Sequence, residues 1–289
     1  MDAFDGISQG TILHQSSVSQ IISAPVFFDD NGRVAIVETR SFGGISLSNT
    51  LQLGADLTSL NLSGGFTAGV INVNGNITGI KPINVGLNGI GDTKDSTRVF
   101  LRGDNTGFTG KINIGAGSLS VKNSNALGIS GENIEISPKG WLELDSTAIT
   151  LTGKFIKILG GRTGFSSIIN RTGNNTIASN ITLAANSQIT ALNGTTFQLG
   201  NIGCELASIT LTLFNDASSL TTKMELNGTI GTVSTPLQNQ TKSGSGILYI
   251  KSILNLSGVL RIPNNSNTPI DVSSGDISTA PTWQNNTVE

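Results

Sequence analysis

Arg98-Val-Phe-Leu-Arg-Gly-Asp-Asn-Thr-Gly-Phe-Thr-Gly-Lys-Ile-Asn-Ile-Gly-Ala-Gly-Ser-Leu-Ser-Val-Lys-Asn-Ser-Asn-Ala-Leu-Gly128 is built from short alternating runs separated by turn residues. Phe100 and the alternating Ile112, Ile114, Leu119 and Val121 supply the apolar positions. Asn105-Thr106-Gly107 and Gly115-Ala116-Gly117 supply the turns. Period-two alternation broken by Gly and Asn marks strands with one face buried. The expectation is that Ile112, Ile114, Leu119 and Val121 point into a common core.

The composition asks for the same architecture. Charged residues make up 12% of the chain, about half of the usual ~25%. Gly accounts for 36 of 289 residues, while aromatics are 5%. Ser, Thr and Asn therefore have to serve on the outer surface. Stacked strands accommodate this, because β-branched and amide side chains form ladders on a pleated face. A solenoid grows in one dimension without dividing into domains.

The segment resembles the passenger-associated transport repeat, or autotransporter-associated β-strand repeat, of bacterial autotransporters. Asn170-Arg-Thr-Gly-Asn-Asn-Thr-Ile-Ala-Ser-Asn-Ile-Thr-Leu183 and Lys242-Ser-Gly-Ser-Gly-Ile-Leu-Tyr-Ile-Lys251 resemble two further blocks of that family. The resemblance covers about residues 95–262. Phe108 stands where the family has Tyr, and Ile177-Ala178 where it has Trp. The resemblance implies a right-handed parallel β-helix, an all-β surface rod rather than a catalyst.

Three regions follow. Residues 1–44 differ in texture and contain Pro25-Val-Phe-Phe-Asp-Asp-Asn-Gly-Arg-Val-Ala-Ile-Val-Glu38. Two apolar runs around Asp30-Asn31-Gly32 predict a β-hairpin, serving as a cap or attachment module for an exposed solenoid end. Residues 45–262 are expected to form the solenoid, with rungs of about 22 residues. Residues 263–289 are a polar C-terminal tail in which Pro281 and Trp283 stand out as candidate anchor residues.

Chemistry is sparse. The formal net charge is −2 with one His and one Cys. No basic patch points to nucleic acid, and no apolar run of ~18 residues points to membrane insertion. His14 is expected to be structural, and Cys204 a small buried hydrophobe. No cofactor or metal is expected, since zinc sites need His and Cys clusters. Asp29-Asp30-Asn31-Gly32 resembles a calcium loop, but the hairpin accounts for it. Asn76-Ile-Thr and Asn193-Gly-Thr are glycosylation triplets that follow from composition.

Carboxylate pairs are Asp92/Asp95, Glu132/Glu135 and Glu143/Asp145. A glycosidase needs two carboxyls ~5–9.5 Å apart. Glu143 and Asp145 satisfy that along a strand, yet they alternate with Leu142 and Leu144. They are expected to be an exposed, solvated face whose removal costs less than ~0.5 kcal/mol. Arg102-Gly103-Asp104, an integrin-type tripeptide, is expected to be turn chemistry.

The reading is a non-enzymatic structural and attachment protein. It is expected on a virion or similar particle, as a phage fibre or decoration component in several copies. Its partners would be other structural proteins of the assembly or a host-surface glycan or protein. The N-terminus lacks a secretory signal pattern, which fits either a trimmed fragment or export by another route. The alternatives are an adhesin passenger on a bacterial cell surface and, more weakly, a tailspike-type polysaccharide depolymerase.

Overall fold

The computed structural model describes residues 10–29, 32–40, 42–64, 69–86, 97–129, 131–161, 165–215, 221–232, 235–244, 246–251, 254–255, 260–262, 270–271 and 284–285. Among the described residues the chain is all-β, without helix, and every pairing between its strands is parallel. The parallel strands stack as a β-solenoid. The chain divides into two units, residues 1–134 and 135–289.

In the first unit three faces recur in order. The first face stacks Thr11–His14, Val34–Thr39, Ser59–Ser63, Ile83–Val85 and the opening of Ile112–Val121. The second stacks Gln20–Ile22, Gly44–Leu47, Val70–Val73, Arg98–Leu101 and the close of Ile112–Val121. The third stacks Val26–Phe28, Leu51–Leu53 and Ile77–Thr78, and continues through a bridge between Gly79 and Phe108. Alternation fixes which side chains enter the core. Because neighbours are parallel and in register, like sits on like. Val37, Leu62, Val85 and Ile114 form one column, and Ile45, Ile71, Val99 and Leu119 another, all at most 2% exposed. Ile112, Ile114, Leu119 and Val121 are fully buried, as their alternation requires. Phe100 is different: its neighbours Val99 and Leu101 point inward, so its ring lies on the outer side.

The second unit repeats the plan. Ile156–Ile158, Ile181–Leu183 and Ile202–Cys204 form one face, extended by bridges at Ile230 and Leu254. Ile168–Thr172, Ser187–Ala191, Thr210–Asn215 and Asn239–Gly244 form another. Thr150–Leu151, Asn174–Ile177, Thr196–Leu199, Lys223–Leu226 and Ile247–Ile250 form the third. Leu151, Ile177, Leu199, Leu226 and Ile250 are its inward column. The turn is looser than a fixed 22-residue repeat. Ile181 pairs with Ile202, 21 residues on, whereas Asn84 pairs with Asn113, 29 residues on. Corners absorb the difference, and faces keep their register apart from one shift between Leu144 and Asp145.

The N-terminal hairpin is not formed. Val26–Phe28 pairs in parallel with Leu51–Leu53, and Val34–Thr39 in parallel with Thr11–His14 and Ser59–Ser63. The two runs flanking Asp30-Asn31-Gly32 lie on different faces. The stacked core outweighs the local hairpin preference. Among the described residues the strand stacking thus already includes Thr11–His14, well before residue 45.

The repeat blocks have a physical basis in buried asparagines. Asn105 is fully buried. Its Oδ1 accepts from the Ile77 backbone N–H at 2.6 Å, and its Nδ2 donates to the Ala126 carbonyl at 2.5 Å, fastening a corner to the turns on both sides. Asn175 in the second unit also reaches back one turn, its Oδ1 accepting from the Ile149 N–H at 2.6 Å, while its Nδ2 donates within its own turn to the Asn170 Oδ1 and the Thr172 carbonyl. Aspartate offers no donor here and leucine neither role, so only the amide serves both. Gly103 is set by close approach, since a Cβ there would lie 2.1 Å from the Gly75 carbonyl oxygen. That explains the Gly of Arg102-Gly103-Asp104, while the Asp104 N–H donates to the Asn76 Oδ1.

Candidate functional site

The carboxylates of the second unit give the densest cluster of chemistry. Leu142 and Leu144 point inward and are fully buried. Glu143 therefore lies on the outer side, yet only 1% of it is exposed. Two side chains cover it. The Trp141 indole N–H donates to Oε1 at 2.9 Å. Arg171 grips both oxygens, with Nε donating to Oε2 at 3.1 Å and a terminal nitrogen donating to Oε1. The expectation of an exposed, solvated Glu143 is thus overturned. Alternation settles which side of the sheet a residue takes, but not what its neighbours lay over it.

A bulge delivers the arginine. Leu144 pairs with Asn170 but Asp145 pairs with Thr172, so Arg171 is the extra residue. Bulges bend a strand and re-aim a side chain. Asp145 remains partly exposed and accepts from the Thr172 hydroxyl at 3.2 Å. The hydrogen bond from Arg171 to Glu143 is the main cause that raises the Arg171 pKa above its ordinary value, with the charges of Glu143 and Asp145 adding to it. Both Glu143 oxygens are taken up by the guanidinium and the indole N–H, a bidentate geometry that fixes the carboxylate in place. The cluster is a clamp between neighbouring turns.

The remaining candidates are dispersed. His14 is buried and hydrogen-bonds the Val18 carbonyl through Nε2 and the Thr39 hydroxyl through Nδ1, each at 3.0 Å. This is a structural role. Cys204 is buried, its thiol donating to the Thr235 carbonyl at 2.9 Å, and burial raises its pKa. Glu132 is exposed and Glu135 partly so. Asp92, Asp95, Asp30 and Asn31 lie outside the described residues, as do Pro281 and Trp283.

Two outer features were not drawn from the sequence. The first is an amide ladder: Asn113 donates to Asn84, and Asn84 to Asn61, each at 2.7 Å. Register brings the three together, and their sequence spacings of 23 and 29 residues hide it. The second is the opening turn. Thr11–His14, Gln20–Ile22 and Val26–Phe28 each pair with the following turn, and each carries an exposed apolar side chain: Leu13, Ile21 and Phe27. Val18 and Phe42 at the adjoining corners are also exposed, Phe42 at 81%. Among the described residues, no helix is long and apolar enough to cross a membrane. No known family, curated protein or solved structure matches the chain.

Proposed function

We propose that the chain is a non-enzymatic structural and attachment protein, a multi-copy component of a virion or similar particle of the phage fibre or decoration type. The opening turn carries this reading. Its three strands pair with the next turn and present Leu13, Ile21 and Phe27 outward. Exposed apolar side chains gathered on the outer side of one turn suit docking onto a neighbouring structural protein. The clamp on Glu143 supports a holding role for the outer acids over a catalytic one.

The test is joint deletion of that apolar dressing. Ile21→Lys with Phe27→Lys leaves the inward columns intact, because both residues face outward. The expected result is loss of assembly, read by sedimentation velocity, with an unchanged β-sheet circular dichroism spectrum. A chain that assembles identically with both lysines overturns the docking role. An adhesin passenger is the second reading, supported by the repeat blocks whose asparagines Asn105 and Asn175 play one role in both units. Shortening of a capsular glycan by the protein would instead favour the depolymerase.

A further inference from the structure

Three cations converge on one aromatic ring on the outer side of the second face. The Arg98 guanidinium lies 5.3 Å from the centroid of the Phe100 ring, that of Arg102 5.4 Å, and the Lys122 ammonium 5.4 Å. Such contacts arise about once per 70–80 residues in folded chains, so three on one ring is a concentration. The chain holds only 17 lysines and arginines in all. Backbone geometry makes the cluster. Arg98, Phe100 and Arg102 alternate with the inward Val99 and Leu101, so all three project outward in a row. The next rung places Ser118 beside Arg98 and Ser120 beside Phe100, and Lys122 follows Val121 on the same side.

The ring does two things for these charges. It draws the cations together on its electron-rich π-system, and it restricts long side chains that would otherwise pay heavily in entropy to bind anything. Arg102 is exposed, while Arg98, Phe100 and Lys122 are partly so. A second observation lies in the same patch. The Ser118 and Ser120 hydroxyls are buried and have no hydrogen-bond partner. Native structures rarely leave such groups unsatisfied. An anionic group settling among the cations would give the hydroxyls an acceptor. Asp104 is the nearest acid in sequence and is exposed, two residues beyond Arg102.

We infer that this patch is a binding site for an acidic polysaccharide, a linear glycan carrying carboxylate groups. The inference rests on the attachment reading and names its ligand. Three cations suit a chain with one charge per sugar or fewer. Duplex nucleic acid draws its affinity from several more phosphate contacts than three cations supply. The flat row of a strand accepts an extended polymer, and repetition over many copies multiplies a weak single contact.

The probe is polygalacturonate, with neutral dextran and duplex DNA as the other arms, titrated into the full chain by calorimetry at low salt. Binding to polygalacturonate and none to dextran is expected. Arg102→Gln with Lys122→Gln should weaken it at least tenfold and flatten its salt dependence, with an unchanged thermal unfolding curve. Equal binding by the double variant, equal binding to dextran, or tighter binding to DNA than to polygalacturonate each overturns the proposal. The two readings fail separately. A chain that assembles but ignores polygalacturonate loses the site and keeps the attachment role. One that binds polygalacturonate through Arg102 and Lys122 but stays monomeric keeps the site and loses the multi-copy role.

Discussion

Removing one side of the Glu143 clamp should cost far more than removing an ordinary surface charge. Glu143 is 1% exposed at its side chain and Arg171 36%. Arg171→Ala leaves a buried carboxylate with the Trp141 indole as its remaining partner in the clamp. Breaking a fully buried pair costs ~3–5 kcal/mol. The partial exposure of Arg171 lets water replace it, so the estimate falls to about 2–3 kcal/mol. Glu143→Ala strands a guanidinium that can rehydrate and an indole N–H, for about 1–2 kcal/mol. The double variant should cost less than the sum, giving a coupling energy of about 1–2 kcal/mol. Urea unfolding followed by Trp141 fluorescence in a Trp283→Phe background reads this directly, since those are the two tryptophans of the chain. The raised pKa of Arg171 contributes stability that is present below the ordinary arginine value and is lost only above it, so the guanidinium adds no pH dependence near neutrality. Single costs within about 0.5 kcal/mol, as for exposed sites, together with additivity, would refute the clamp.

Two further outcomes follow from burial. Leu119→Ala empties a position that is 0% exposed and stacked on Val99, so it should cost about 2–4 kcal/mol in denaturant unfolding, and a loss below about 1 kcal/mol would contradict the inward column. Cys204 should react with iodoacetamide at pH 8 at least about tenfold more slowly than free cysteine, because burial raises its pKa and the thiolate is the nucleophile. The same raised pKa means the native state loses stability as pH climbs past the ordinary thiol value of 9.0, where the unfolded chain ionises first. Alkylation at the free rate would place the thiol in solvent.

The core was legible in the sequence because alternation is a local signal. Ile112, Ile114, Leu119 and Val121 needed only their own neighbours to be assigned inward. What depends on the adjacent turn was not legible. The Asn61–Asn84–Asn113 ladder and the burial of Glu143 arise between residues 23–29 positions apart, and corner lengths vary enough to scramble any fixed spacing. The bulge at Arg171 leaves no compositional trace, because Asn170-Arg171-Thr172 reads as ordinary strand. Phe100 supplies an apolar position in the sequence, yet Val99 and Leu101 on either side claim the inward positions and leave it outside. The hairpin error has the same origin. Asp30-Asn31-Gly32 is a strong local turn signal, but it cannot say whether the chain returns antiparallel to itself or bends onto the next face. Parallel stacking buries the inward side of both flanking runs, with Phe28, Ala35 and Val37 all buried.

Disulfide trapping at the N-terminus tests the stacking most directly. With Cys204 replaced by Ser, Phe27→Cys and Gln52→Cys place two thiols at paired positions on exposed sides of neighbouring parallel strands. Paired Cα atoms in a sheet lie ~4.8 Å apart, inside the 4.4–6.8 Å that a disulfide spans. The hairpin would instead bring Phe27 opposite Ile36. Rapid oxidation of the Phe27→Cys/Gln52→Cys protein, with none in Phe27→Cys/Ile36→Cys, is the predicted result. Cross-linking of the second pair and not the first would contradict the parallel stacking of Val26–Phe28 on Leu51–Leu53.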